Sequence, residues 1–79
     1  MKVSLFAYYT VAADNLEDMD AAADKALAGI DAKEIGRGTF LQTRERDIGW
    51  EIPADQAYRA KAALESSGFR VAIDWRAVS

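Results

Sequence analysis

Apolar and polar positions change period several times along this chain, and each change marks an element. Val3, Leu5, Ala7 and Tyr9 alternate with Ser4, Phe6, Tyr8 and Thr10. A period of two predicts a strand. Both of its faces carry apolar residues, which predicts a central position in a sheet. Thr10 to Ala13 then turn into a helix. Leu16, Met19, Ala23, Ala26, Leu27 and Ile30 fall on one face at helical spacing. Asp14 with Glu17 three residues on fits a capping box. The helix ends near Gly29 to Asp31.

The second half is read the same way. Ile35 to Gly38 is a loop or the bulged start of a strand. Thr39 to Thr43 is a strand by its β-branched and aromatic content, and Arg44-Glu45-Arg46 is the hairpin turn. Ile48, Trp50 and Ile52 then point one way, and Asp47, Gly49 and Glu51 the other. Pro53 stops that strand and suits the first turn of a helix. This second helix runs from about Ala54 to Ser66, with Ala57, Ala60, Ala63 and Leu64 inward, and Gly68 ends it. The last strand, Phe69 to Val78, buries Phe69, Val71, Ile73 and Trp75 and exposes Arg70, Asp74 and Arg76.

The order β-α-β-β-α-β predicts an α+β, ferredoxin-like domain over residues 1–79, with two helices on one face of a four-stranded antiparallel sheet. A different α+β topology can be built from the same elements. In the ferredoxin-like arrangement Phe6 and Tyr8 look outward from a central strand. Asp47, Gly49, Glu51, Arg70, Asp74 and Arg76 surround them. Outward aromatics beside charges mark either a half-covered surface or an interface.

Charge changes the picture. The 79 residues carry a net −3, but residues 14–34 hold seven acids against two lysines, net −5. The remainder holds six acids against eight bases, net +2. On a helical wheel Glu17, Asp20 and Asp24 form a stripe beside the apolar face, with Asp14 and Asp18 supporting it. A stripe of this kind is either a solvated helix face or a surface that steers a basic partner.

Several chemistries are set aside. With no cysteine and no histidine, the chain lacks a thiolate, a disulfide framework and the side chain that titrates near neutrality. The missing cysteine fits a reducing cytoplasm. There is no signal peptide and no run of transmembrane length. The third strand offers Asp47 and Glu51 where an RNA-binding sheet needs an aromatic, and the net negative charge opposes phosphates. The calcium-loop and Walker patterns are absent. Tyr8, Glu51, Arg70 and Asp74 are the only convergent polar set for an enzyme, and no spacing among them selects a reaction. No metal or other cofactor is expected.

Two functional readings remain. In small size, lack of cysteine and local acidity the chain resembles, in type, the small inhibitors of phages and mobile elements, including anti-CRISPR proteins that imitate DNA. That resemblance implies a non-enzymatic, cytoplasmic inhibitor. Its partner would be a protein, such as a nucleic-acid-binding complex, engaged through Glu17, Asp20, Asp24, Asp14 and Asp18. The alternative is a dimeric sensory or oligomerisation module that pairs through Phe6 and Tyr8.

Overall fold

A computed structural model describes residues 1–12 and 14–78, without the side chains of 77 and 78. Ala13, at the end of the predicted turn, lies outside the described residues. The elements run β1 (Lys2–Thr10), α1 (Leu16–Ala26), β2 (Lys33–Phe40), β3 (Glu45–Pro53), a 3-10 turn (Ala54–Gln56), α2 (Ala57–Ser66) and β4 (Arg70–Val78). The sheet is antiparallel in the order β2-β3-β1-β4. This is the ferredoxin-like βαββαβ arrangement that the order of elements predicts, with β1 central.

The alternation along β1 and β3 builds the core. Val3 pairs with Ile52, Leu5 with Trp50 and Ala7 with Ile48. All six are 3% exposed or less, so these rows are the dry face of the sheet. Ala23 and Leu27 of α1 and Ala57, Ala60 and Leu64 of α2 close over them. Small residues at most of these helical positions let the backbones sit near the sheet. Ala63 is only half-buried.

α2 ends as glycine dictates. Gly68 takes φ 96°, where a side chain would be strained. The Phe69 N–H reaches the Leu64 carbonyl at 3.1 Å and the Gly68 N–H reaches the Glu65 carbonyl at 3.1 Å. This is a Schellman cap, and its apolar contact is supplied by Phe69 and Leu64, both buried.

Four local expectations are corrected. The α1 cap is Asn15, not Asp14. Asn15 has a donor and an acceptor, and both reach back to the segment that leaves β1. Its Oδ1 accepts from the Ala12 N–H at 2.9 Å, and its Nδ2 donates to the Thr10 carbonyl at 3.2 Å.

The second strand begins at Lys33, not Thr39, and the turn covers 41–44 rather than 44–46. The backbone groups of Lys33 to Gly38 pair with β3 whatever their side chains' propensity. Arg44 then takes φ 59°, unusual for a residue with a side chain.

Trp75 is 44% exposed rather than buried. It lies on edge strand β4 and packs sideways on Tyr58 of α2, ring centroids 5.2 Å apart.

The fourth correction concerns Asp20, which is 8% exposed rather than a surface residue.

A bulge in β2 decides which way its side chains point. Glu34 pairs with Trp50, but Gly36 pairs with Gly49, so Ile35 is the extra residue. Simple alternation places Glu34 and Arg37 on opposite faces. The inserted residue brings both to the helix side.

Candidate functional site

Beside Asp20 the inner face of the sheet turns from apolar to polar. Arg46 continues the inward row of Ile48, Trp50 and Ile52 by alternation, and the bulge brings Arg37 alongside. Asp20 stands on the α1 face that also carries Ala23 and Leu27, so its carboxylate meets both guanidinium groups.

The geometry satisfies every lone pair. Asp20 Oδ1 accepts from the Tyr9 hydroxyl at 2.8 Å and from Arg46 Nε at 2.9 Å. Oδ2 accepts from Arg46 Nη2 at 2.7 Å and Arg37 Nη1 at 3.1 Å. Arg46 Nη1 donates to Thr39 Oγ1 at 2.9 Å. Arg37 also pairs with Glu34, and with Asp24 at 3.4 Å. Among the described residues no buried side-chain polar atom lacks a partner. A two-pronged Arg–carboxylate contact fixes orientation as well as charge.

The same geometry sets the ionisation of the cluster. Burial alone would raise the Asp20 pKa. The hydrogen bonds from Arg46, Tyr9 and Arg37 outweigh it and hold Asp20 below the usual carboxylate range. Tyr9 is pushed up to about 12, first by burial, then by its hydrogen bond to Asp20 and the charge of that carboxylate.

A phenol whose folded pKa exceeds the unfolded value of about 10 stabilises the fold fully below that pH. The contribution fades as pH rises to about 12. Tyr9→Phe is therefore expected to cost about 1–2 kcal/mol at neutral pH, because Asp20 loses a donor. Urea titrations at pH 9 to 12 should show the difference between wild type and variant shrinking. A constant difference across that range would remove Tyr9 from the network.

The predicted acidic stripe is thus divided. Asp20 is internal, and Asp24, itself exposed, is reached by Arg37 at 3.4 Å. Asp14, Glu17 and Asp18 are exposed, and none of the ion pairs among the described residues includes them. These three line a shallow depression with Leu16, which is 36% exposed. No group of three carboxylates among the described residues is arranged to hold a metal ion.

Among the described residues no helix covers the opposite face of the sheet. Phe6 pairs with Gly49 and Ala72, and Tyr8 with Asp47 and Arg70. Both aromatics are half-buried. Ser4 lies between Glu51 and Asp74. The polar set of Tyr8, Glu51, Arg70 and Asp74 therefore shares a face but does not converge. The Phe6 row separates Tyr8 and Arg70 from the other two. Its charged members are also engaged elsewhere, Arg70 with Glu45 at 2.6 Å, Asp74 with Arg76 at 2.7 Å and Glu51 with Lys2 at 3.9 Å.

The residues missed by sequence reasoning are Arg46, Arg37 and Tyr9. Arg46 left a signal. It stands two residues before Ile48 in the inward row, and an inward arginine needs a buried carboxylate. Arg37 left none, because its direction depends on the bulge.

No protein-family model and no curated protein matches the chain. No helix among the described residues is long and apolar enough to cross a membrane.

Proposed function

We propose that this chain is a non-enzymatic protein-binding module, an inhibitor of the anti-CRISPR type. It sets the acidic N-terminal end of α1 against a basic, phosphate-binding surface of a larger protein. The observation that carries this reading is the division of the helix acids. The fold buries Asp20 against Arg46 and Arg37 and pairs the exposed Asp24 with Arg37, while Asp14, Glu17 and Asp18 stand exposed around Leu16 with no such pair among the described residues.

The placement is inexpensive for the fold. Acids at a helix N-terminus are favoured by the peptide dipoles. Glu17 and Asp18 stand in the first turn of α1 and Asp14 just before its cap, close enough together to present several charges to a groove that binds phosphates. Leu16 adds an apolar anchor at the centre of the charges.

The test is a tagged pull-down from a bacterial lysate read by mass spectrometry, with the Asp14→Lys, Glu17→Lys, Asp18→Lys triple variant beside it. Affinity for the recovered partner should fall about 50-fold, and wild-type binding should weaken with salt. The variant should stay folded, losing about 1.5 kcal/mol from the reversed dipole interactions. A partner recovered equally by both proteins would end this reading.

A further inference from the structure

The open face of the sheet carries an apolar band. Ile35, Phe6 and Ala72 lie on one line across the strands, with Gly36 and Gly49 between them. The bulge leaves Ile35 on this face, 52% exposed, and Phe40 further along the same edge is 58% exposed. Phe6, Ile35, Asp47 and the three glycines 36, 38 and 49 border a shallow depression of about 390 Å³.

Charges flank the band, and their signs balance. Lys33 pairs across the strands with Glu51, and Asp74 lies two strands further along the same row. Lys2 contacts Glu51, and Arg76 contacts Asp74. On the other flank stand Asp47 and Arg70, with Glu45 on Arg70. Four cations thus stand against four anions. A phosphate backbone or a uniformly charged partner selects a surface of one sign. A neutral face of mixed sign suits a copy of itself.

We infer that two copies of this chain pair through their open faces, about a two-fold axis that runs along the strands between β1 and β3. Two-fold pairing sets one patch against itself. With this axis β1 faces the β3 of the other copy, and β2 faces its β4. Lys33 then comes opposite Asp74 of the partner subunit, and Tyr8 opposite Asp47 of the partner subunit. Phe6 already leans over Gly49, where an added Cβ would lie 3.0 Å from its ring. Its ring therefore sits between β1 and β3, on the axis, and the two Phe6 rings meet at the centre.

Edge-to-edge pairing along β2 is opposed by the bulge and by Lys33. Four strands about 4.8 Å apart and about 25 Å long cover roughly 480 Å² per copy, near 1,000 Å² in all, the low end for a specific interface. The dimer is accordingly weak and depends on concentration. The acidic end of α1 lies on the other side of the sheet, so this pairing does not rest on the function proposed above.

Sedimentation equilibrium of the full chain from micromolar to millimolar concentration tests the inference, with circular dichroism confirming that each variant is folded. A monomer–dimer equilibrium is expected. Phe6→Ser and Lys33→Asp should each raise the dimer Kd at least about tenfold. Adding Asp74→Lys to Lys33→Asp should bring it back to within about threefold of wild type, because the pair is reversed rather than lost. If Phe6→Ser does not fold, the charge swap decides alone. A wild type that stays monomeric, a dimer unaffected by Lys33→Asp, or a swap that restores nothing would overturn the proposal.

Discussion

Asp20→Asn should lower the unfolding free energy by about 3 kcal/mol, which for a domain of this size is a fall of about 15 °C in Tm. Asparagine keeps the shape of the side chain but removes its charge. Arg46, whose side chain is 12% exposed, is then left without its counter-ion. Breaking one side of a buried pair typically costs about 3–5 kcal/mol, because the remaining charge is stranded away from water. The lower end applies here because Arg37 keeps Asp24 and Glu34.

Total stability for 79 residues is on the order of 4–12 kcal/mol, so this one substitution removes a large share. Asp18→Asn, on the exposed side of the same helix, should change stability by no more than about 0.5 kcal/mol. Urea unfolding followed by tryptophan fluorescence compares the two. Equal midpoints would mean that the Asp20 cluster does not hold α1 down.

Acid provides a second check. The Asp20 pKa is lowered on folding. Its contribution is therefore complete above the unfolded carboxylate value of about 4 and is lost as pH falls through the lower folded value. Wild type should lose stability in that acid window, and Asp20→Asn should lose less.

Leu64→Ala should also cost about 3 kcal/mol. Leu64 is fully buried, and the other fully buried positions of α2 are Ala57 and Ala60. It is therefore the one large side chain with which α2 fills the space above the sheet. Truncation leaves a cavity that two alanines cannot close, and it also removes the apolar contact to Phe69 that completes the Schellman cap. Phe69 in turn meets Tyr9 edge to face, ring centroids 5.6 Å apart. The damage should therefore reach the aromatic that holds Asp20. Chemical denaturation should show the midpoint fall with little change in slope. A loss below about 1 kcal/mol would mean that the helix is held by its backbone cap rather than by packing.

Local period and turn chemistry were enough for most of the fold. The alternation in β1 and β3, the helical spacing of Leu16 to Ile30, Pro53 after β3 and Gly68 after α2 each depend on a residue and its near neighbours. Short connections then leave few ways to join such elements, so the sheet order followed. The start of β2 was not legible, because Lys33 to Gly38 has weak strand propensity and is held by hydrogen bonds to β3. The candidate surfaces were legible in part. Phe6 and Tyr8 lie on the open face by simple parity, and Glu17 lies in solvent by the helical wheel.

By itself the sequence determined the elements, their order and the concentration of acid between residues 14 and 34. Only the tertiary structure decided which of those acids are drawn into pairs with arginines. Asp20 and Glu17 look alike on a helical wheel. They differ because Arg46, twenty-six residues beyond Asp20, arrives under one side of α1, and because a single bulged residue turns Arg37 the same way. Contacts between residues so far apart in the chain have no local period. They exist only once the sheet has formed and the helix lies across it.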